Sequence, residues 1–364
     1  MNIPIRNLSI TDADERHELL SIFERVLDHG QFILGHEVER FEKLFADFCS
    51  TKYCVGVANG TSALYLILKA LGIGPNDEVI TTPLSWIATL NCIHMTGATP
   101  VFADISDDLN INADSVQNII NSNTRVILPV HFTGRICDMD KILSIAQKEN
   151  LIVLEDSAQA AGAVYKGRPA GSFGYASAFS FNPMKVFGAL GEGGAITTND
   201  KILRDKLRSL RYLGTVNREI CVNPELNHKI DALQAAFLSF RLPRLSDKVS
   251  FRINLAQHYN KLLKGIVKTP VITDTRRSVF FDYTIIAENR DKLFDRLSSR
   301  GIDARIKHAP LMCDQPAYSY LNHTNVPHAR DLIKKILTLP LHDKMTLRDI
   351  EHIAGIISEF YGKN

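Results

Sequence analysis

Lys185 stands in an apolar, glycine-rich stretch, "AFSFNPMKVFGALGEGGAITTND", residues 178–200. A lysine at the edge of a loop is ordinarily a solvated surface residue, and that is one interpretation of this position. An amine that is shielded from water has a lowered pKa instead, and its neutral form can make a Schiff base with a carbonyl. Lys185 is therefore a candidate for covalent chemistry if other parts of the chain support it.

Two acidic residues, Glu155 and Asp156, lie at the end of an apolar run in "LIVLEDSAQAAGA", residues 151–163. Ligands of open α/β sheets bind outside the carboxyl ends of the strands. A buried carboxylate there needs a cation or strong hydrogen bonds to stay ionised. The acid therefore either faces solvent or caps the next helix, or it binds a cationic organic ligand. We expect no metal, because no histidine and acidic cluster with ligand spacing accompanies it.

The segment "ANGTSAL", residues 58–64, leads from a predicted strand into a predicted helix. The first N–H groups of a helix lack partners and attract an anion. Gly60 allows the backbone to come close, and Thr61 and Ser62 add hydroxyl groups, so the segment could bind a phosphate. The same residues also make an ordinary turn and helix cap, and the segment contains neither a Walker loop nor a GxGxxG motif.

Trp86, the only tryptophan, lies in "TTPLSWIATLN". Its ring could stack on a planar ligand, or it could simply pack in the core. A phosphate site, a strand-end carboxylate, a stacking ring and a desolvated lysine are together what pyridoxal 5′-phosphate (PLP) needs. That cofactor takes a lysine Schiff base and an acidic partner for its ring nitrogen. The sequence therefore predicts a PLP site.

Strands and helices alternate over residues 52–158, which predicts a mostly parallel sheet covered by helices. Asp156 then ends a buried strand, and Lys185 lies in the loop between two short strands at 175–181 and 191–199. Two helices precede the sheet, over 12–29 and 36–50. Pro243 and the charged "RLSDK" indicate a hinge. We therefore predict a large α/β domain over 1–245 and a smaller C-terminal α/β domain over 246–364.

Composition excludes several classes of protein. The 364 residues are 45% hydrophobic and 23% charged with a net charge of +2, so neither a nucleic-acid surface nor a membrane surface is indicated. The six cysteines form no CxxC pair, which favours a reducing compartment. The first residues lack the apolar core of a signal peptide, and no apolar run approaches the roughly 20 residues of a membrane span. We expect a cytoplasmic enzyme.

Several segments in order along the chain resemble the DegT/StrS-type family of PLP-dependent sugar aminotransferases. They are "GTSALYLILKALGIGPNDEVI", "HFTGRICDMD", "EDSAQAAGAVYKGRPAGSFG", "FSFNPMKVFGALGEGGAITTND" and "LNHKIDALQAA". The resemblance extends from residue 32 to residue 346. It implies the fold-type I architecture of the aspartate-aminotransferase class and a homodimer whose active sites are shared across the interface.

The resemblance also implies roles for individual residues. Lys185 matches the catalytic lysine that carries PLP as a Schiff base and then moves the proton, and Asp156 matches the catalytic carboxylate on the pyridine nitrogen. The remaining cofactor-binding residues are Gln159 beside the ring hydroxyl, Trp86 against the ring, Gly60, Thr61 and Ser180 at the phosphate, and Asn227 at the phosphate of the neighbouring subunit. Ser62 is a further cofactor-binding candidate from the helix start alone. No metal is implied.

Two positions depart from the family pattern. Lys229 stands where the family usually has an arginine, and Arg and Lys are not interchangeable at a bidentate site. Met312 stands where a histidine is often found near the sugar. The lysine at 229 changes whatever that position contacts, and the methionine at 312 concerns the substrate and not the type of reaction. A dehydratase branch of the family carries histidine at the position of Lys185, so the lysine argues against that branch.

The resemblance predicts transfer of an amino group from an amino acid, expected to be L-glutamate, to a keto-sugar, with PLP cycling through pyridoxamine 5′-phosphate. A nucleotide-linked keto-deoxyhexose is the first choice of substrate, and an unlinked keto sugar acid such as an 8-keto octulosonate is the second. A PLP-binding regulator without turnover is the alternative of another class, whereas a phosphate-loop hydrolase lacks its GK[ST] pattern. Four further residues are either structural or bind a carboxylate or diphosphate: Arg125, His131, Lys307 and His308.

Overall fold

The computed structural model describes residues 2–321 and 324–362, and its centre is a large β-sheet. Apolar and β-branched runs such as "YCVGV" and "IVLED" form buried strands. The strands are β1 Tyr53–Val57, β2 Glu78–Thr81, β3 Thr99–Phe102, β4 Thr124–Leu128, β5 Ile152–Asp156, β6 Val164–Tyr165, β7 Arg168–Pro169, β8 Ala176–Ser180, β9 Gly194–Thr198, β10 Thr215–Val216, β11 Ile220–Cys221, β12 Arg276–Arg277, β13 Tyr283–Ile286 and β14 Ile336–Leu339.

Helices cover the sheet and form the N-terminal and C-terminal segments. They are α1 Ala13–His29, α2 His36–Phe48, α3 Gly60–Ala70, α4 Ala88–Met95, α5 Ala113–Ile119, α6 Met139–Lys148, α7 Lys201–Arg211, α8 Ala232–Arg241, α9 Leu245–Leu262, α10 Arg290–Ser299, α11 Pro327–Leu332 and α12 Leu347–Phe360. None of the helices in the described residues is both long and apolar enough to cross a bilayer.

Seven strands make the large sheet, in the order β1-β9-β8-β5-β4-β2-β3. Neighbouring strands from β3 through β2, β4 and β5 to β8 pair in parallel. Strand β9 runs antiparallel to both β8 and β1. The predicted mostly parallel sheet is therefore present, with one reversed strand. β9 can run antiparallel because only a loop, which contains Lys185, connects it to β8, and a parallel strand would need a longer crossover connection.

A second core lies in the C-terminal part of the chain, where β13 and β14 pair antiparallel and pack with α9, α10 and α12. Tyr259 and Tyr283 stack there at 4.5 Å between ring centroids. Ile3, from the N-terminal end, joins this core. The helix α9 begins immediately before the predicted boundary at 245/246 and continues into the second core, so that boundary stays a prediction.

The apolar and β-branched run "SVFFDYTIIAE", residues 278–288, has the character of a strand, but only Tyr283–Ile286 is extended and paired with β14. The residues before it bind elsewhere: the N–H of Val279 donates to the carbonyl of Gly134 at 3.0 Å. The chain from 278 to 282 therefore lies against the segment that follows β4 of the large sheet. This contact brings Phe281 and Asp282 to the loop that contains Lys185.

Three connections meet at one edge of the large sheet. Strands β1, β5 and β8 run in the same direction, so the residues that follow them lie at a common edge. These residues are the start of α3 after β1, the segment 157–160 after β5 and the loop 181–193 after β8. They contain most of the residues for which the sequence predicts chemistry.

Candidate active site

Asp156 ends β5 as a buried carboxylate, with 3% of its surface exposed. Its Oδ2 accepts a hydrogen bond from the hydroxyl of Thr89 at 2.8 Å, and its Oδ1 accepts one from the N–H of Ala158 at 3.1 Å. Burial raises the pKa of Asp156, although both hydrogen bonds and the charge of Lys185 act in the opposite direction. A carboxylate in this position is stabilised by any cation that reaches it.

Lys185 lies in the loop after β8 and is only partly exposed. Its Nζ is 4.5 Å from the centre of the Phe281 ring. Burial lowers the pKa of Lys185 from 10.5 to about 8, while the carboxylates of Asp156 and Asp282 act to raise it. The amine is therefore neutral in a useful fraction of molecules near neutral pH, as the sequence predicts for a desolvated lysine.

The start of α3 combines a helix N-terminus with a close backbone approach. Asn59 caps the helix, its side chain accepting the N–H of Ser62 at 2.8 Å. A Cβ on Gly60 would lie 2.6 Å from the Cβ of Ser180, so only glycine allows β8 and α3 to approach this closely. Thr61 is exposed next to Gly60. The N–H groups of Gly60 and Thr61, which come before the capped Ser62, are the ones that could bind an anion.

Ser62 differs from the other predicted phosphate residues because its polar groups already have partners. Its hydroxyl lies 2.9 Å from Nδ1 of His228, and its N–H binds Asn59. Ser62 stays a predicted phosphate ligand, but its present hydrogen bonds would have to change for its hydroxyl to donate to a phosphate.

The side chains of Gln159 and Trp86 are both available to a ligand. The amide oxygen of Gln159 accepts the N–H of Thr133 at 2.8 Å, which leaves its amide nitrogen as a donor. Trp86 comes just before α4, and its carbonyl accepts the N–H of Thr89. The ring of Trp86 is 65% exposed, so it does not pack in the core and its face is open to a ligand.

Asn227 is exposed and belongs to a segment that pairs with the end of β1, where Lys229 bridges to Val57. The neighbouring carbonyl of His228 accepts the N–H of Ala58, and the Asn227 side chain accepts the N–H of Lys229 at 3.2 Å. Lys229 places its ammonium 4.0 Å from the centre of the Tyr212 ring. The lysine that departs from the family pattern therefore makes a cation–π contact.

A charged cluster beside Lys185 was not predicted from the sequence. Asp282 is 2% exposed, and it binds both Arg6 at 2.6 Å and Lys307 at 2.7 Å. Burial opposes ionisation, but the two cations together lower the pKa of Asp282 to about 2. Arg6 and Asp282 lie 276 positions apart, and no local spacing indicates such a contact.

Arg6 and Lys185 line a cavity of about 760 Å³ between the N-terminal segment, the loop after β8 and α9. Its lining includes seven basic side chains and four acidic ones. The basic residues are Arg6, Lys185, Arg241, Arg244, Lys248, Arg252 and Lys344. This cavity has the size of a small-molecule site. Its lining has an excess of basic side chains, of which Arg6, Arg241, Lys248 and Arg252 already pair with carboxylates.

None of the four residues left open between structural and substrate roles is among the residues that line this cavity. Arg125 is a surface residue, 3.8 Å from Asp77. His131 is completely buried and lies 3.0 Å from Glu155. Lys307 contributes to the charged cluster, and burial lowers the pKa of His308 to about 4, so its imidazole is neutral.

Glu155, the other acid at the end of β5, binds groups of the protein itself. Its carboxylate accepts backbone N–H groups of Gly171, Phe173 and Gly174 at 2.8–2.9 Å in addition to its contact with His131. These bonds lower its pKa against the effect of burial. Met312, at the position where the family often has histidine, is 1% exposed and packs in the core, so it offers nothing to a sugar.

The combination of Lys185, Asp156 and the glycine-lined helix start is the arrangement that the sequence predicts for a PLP enzyme. Residues 13–358 match the DegT/DnrJ/EryC1/StrS aminotransferase family. The chain belongs to this family. The predicted family, the PLP-dependent sugar aminotransferase activity at the family level and the cofactor are thereby confirmed.

Two relatives and two solved structures show how far the likeness extends. The dTDP-3-amino-3,6-dideoxy-alpha-D-galactopyranose transaminase of Aneurinibacillus thermoaerophilus is 36% identical over 360 residues, 98% of this chain and 99% of that one. The "pleiotropic regulatory protein" of Geobacillus stearothermophilus is 35% identical over 368 residues, 99% of each chain.

The crystal structure of DesV from Streptomyces venezuelae, solved with a ketimine intermediate, superposes with a TM-score of 0.96 at 34% identity and covers 100% of this chain and 99% of DesV. This match confirms the fold-type I prediction. Spr1654 of Streptococcus pneumoniae, with PLP and pyridoxamine phosphate forms solved, has a TM-score of 0.92 at 26% identity, covering 100% of this chain and 98–99% of Spr1654.

Proposed function

We propose that this family member transfers the amino group of L-glutamate to the carbonyl of a nucleotide-linked keto-deoxyhexose, using PLP held at the edge of the large sheet. One observation carries the proposal. Lys185 and Asp156 are both desolvated, the first with its pKa lowered and the second with its pKa raised, and each acts on the pKa of the other. An amine and a carboxylate in this condition suit a ligand that has a carbonyl and a cationic ring nitrogen.

The cofactor would be held by residues from all three connections at the sheet edge. Asp156 would bind the ring nitrogen, and the amide of Gln159 would donate to the ring hydroxyl. Trp86 would cover the ring, while Gly60, Thr61, Ser62 and Ser180 would receive the phosphate. When bound, PLP supplies a carbonyl for a Schiff base and a ring that accepts electrons.

Lys185 would move the proton in both halves of the reaction. With a pKa of about 8, about a quarter of its amines are neutral at pH 7.5, compared with roughly 0.1% for a lysine of ordinary pKa. The negative charge of Asp282 raises the pKa of the Lys185 amine, and the positive charge of Lys307 lowers it. The two neighbouring charges therefore act on this amine in opposite directions. Proton transfer by a positioned group of suitable pKa contributes typically about 10²–10⁴-fold to a rate.

The cavity beside Lys185 supports an anionic substrate of nucleotide-sugar size. Its excess of basic side chains suits a diphosphate, and its volume exceeds what a hexose alone would fill. Relatives are named for dTDP-linked, UDP-linked and GDP-linked sugars. A keto sugar acid such as an 8-keto octulosonate is the second candidate, because one carboxylate could also bind to the charged cluster.

A homodimer with shared active sites belongs to the same proposal. The face of α1 opposite its buried side carries Leu20, Phe23 and Leu27, all of them more than two fifths exposed. The hairpin of β10 and β11 and the residues after it expose Val216, Ile220, Val222 and Leu226. A second copy of the chain would cover this apolar surface and would receive Asn227 next to its own phosphate site.

The experiment that tests the proposal separates an enzyme from a regulator, the function suggested by the name of the Geobacillus relative. The purified protein is loaded with PLP and mixed with L-glutamate, and the absorbance of the cofactor is followed. We expect conversion to the pyridoxamine form, and then formation of amino-sugar when nucleotide-linked keto-sugars are added.

Lys185→Ala should abolish both steps. Normal turnover by Lys185→Ala would refute the mechanism. Binding of PLP by the wild type without any reaction with glutamate would favour the regulator. Reaction with an unlinked keto sugar acid, and with none of the nucleotide-linked sugars, would replace the first substrate with the second.

A further inference from the structure

His228 is buried directly beneath the proposed phosphate site, in contact with a residue that is predicted to bind phosphate. Its Nδ1 lies 2.9 Å from the hydroxyl of Ser62, and its carbonyl accepts the N–H of Ala58, next to the start of α3. His228 is 8% exposed. Neither the sequence motifs nor the proposed function assigns it a role.

The other side of the imidazole faces a carboxylate. Nε2 of His228 lies 3.6 Å from Oε1 of Glu225, whose side chain is only 3% exposed. Nε2 of His228 is buried and has no hydrogen-bond partner among the described residues, and Glu225 also acts on the phenol of Tyr65. A buried polar atom without a hydrogen-bond partner costs free energy. A change of protonation or of contacts at His228 and Glu225 would relieve that cost.

The other ionisable groups around His228 have contacts of their own. Tyr65 of α3 lies 6.0 Å away between ring centroids, and burial and then Glu225 raise the pKa of its phenol. The N–H of His228 binds the carbonyl of Arg211, whose guanidinium is held by Glu42 at 2.6 Å. Lys229 directs its ammonium to Tyr212. Glu225 is therefore the charged group that pairs with the imidazole.

The protonation of His228 decides what the Ser62 hydroxyl can do. The Glu225 carboxylate favours a proton on Nε2, so in the neutral imidazole Nδ1 is an acceptor and uses the Ser62 hydroxyl hydrogen. In the imidazolium ion Nδ1 donates to the Ser62 oxygen, and the hydroxyl hydrogen is free for another acceptor. A phosphate above the helix N-terminus is such an acceptor, and its negative charge favours the imidazolium.

We propose that His228, paired with Glu225, is a positioning residue for the cofactor phosphate, and that it takes up a proton when the phosphate binds, so that the Ser62 hydroxyl turns to donate to the phosphate. The inference rests on the phosphate site of the proposed function. The proton comes from solvent, and no other bond forms or breaks.

Calorimetric titration of the cofactor-free protein with PLP tests this inference, in buffers of different ionisation enthalpy between about pH 6.5 and 8. Pyridoxal, which lacks the phosphate, is the matched ligand. We expect net proton uptake with PLP beyond that with pyridoxal. The ratio of PLP affinity to pyridoxal affinity should fall as the pH rises, because the dependence on a neutral Lys185 is common to both ligands. Ser62→Ala should weaken PLP binding by about tenfold or more, because it removes a hydrogen bond to a charged group, and should leave pyridoxal unaffected.

His228→Phe keeps a ring in the cavity and removes both nitrogens, so the additional proton uptake should disappear. Glu225→Gln should reduce that uptake while keeping the shape of the side chain, and it decides the matter if His228→Phe does not fold. His17→Asn, at an exposed histidine of α1, is the control and should behave as the wild type.

Equal proton uptake by wild type, His228→Phe and Glu225→Gln would overturn the inference and leave the proposed function intact. Wild-type protein that binds neither PLP nor pyridoxal would overturn the proposed function and this inference together.

Discussion

Replacing Thr89 by valine would test how Asp156 is held in place. Valine has almost the same shape as threonine and lacks the hydroxyl that donates to Oδ2 of Asp156 at 2.8 Å. A hydrogen bond to a charged group contributes about 1.5–3 kcal/mol, and about 1.4 kcal/mol corresponds to a tenfold change in affinity. Without this bond the pKa of Asp156 rises further, so the carboxylate pairs less well with a ring nitrogen. Because the bond already exists in the cofactor-free protein, only its strengthening by the bound cation counts, and we expect the affinity for PLP to fall by up to about 140-fold.

Equilibrium dialysis of the cofactor-free protein against PLP measures this loss, with circular dichroism to verify the fold. Thr89→Ser is the matched control, because it keeps the hydroxyl, and it should bind PLP nearly as the wild type does. Ser85→Ala removes only the neighbouring hydroxyl, 3.0 Å from that of Thr89, and should have the smaller effect. The reasoning is refuted if Thr89→Val binds PLP with wild-type affinity, or if Thr89→Ser is as weak as Thr89→Val.

Three further predictions follow from the same structure. In single turnovers of the pyridoxamine form with 2-oxoglutarate, the rate should rise through pH 8 and then level, because Lys185, with its pKa of about 8, must be neutral to accept a proton; a flat profile would contradict this. Gly60→Ala should lose PLP affinity and stability because of the contact at 2.6 Å, whereas Gly355→Ala, which has open space in α12, should gain about 0.4–1 kcal/mol in urea unfolding. Phe23→Asp with Leu27→Asp should give a folded monomer by light scattering, and a monomeric wild type would argue against the dimer.

The sheet edge could be predicted because its signals are local. The apolar run of β5 ends at Asp156, and the turn before α3 contains Gly60, so hydrophobic pattern and turn residues place both at strand ends. The resemblance then added the residues that pattern alone leaves open, such as Gln159 and Ser180. Parallel strands bring such residues together without any need to know the rest of the fold.

The surroundings of Lys185 could not be predicted in the same way. The ring that lies 4.5 Å from its amine belongs to Phe281, almost a hundred positions later in the chain, and the cluster behind it joins Arg6 to Asp282. Contacts between side chains so distant in sequence depend on how the N-terminal segment and the second core pack on the large sheet. Trp86 is a similar case, because only the tertiary structure shows that its ring is exposed and not in the core.

The protonation of the two catalytic candidates explains why the cofactor should also stabilise the fold. Asp156 has a raised pKa in the folded chain. As far as this group contributes, the fold is therefore more stable at low pH, where this carboxyl is protonated, than at neutral pH, where it must ionise in a buried position. Lys185 has a pKa lowered from 10.5 to about 8, so at pH 7 the folded chain holds its ammonium at a cost of roughly 3 kcal/mol relative to the unfolded chain. Both costs arise from the removal of water at the sheet edge. A bound cation at Asp156 and a covalent partner at Lys185 offset them together, so the features that make these residues reactive also make the empty site the less stable state.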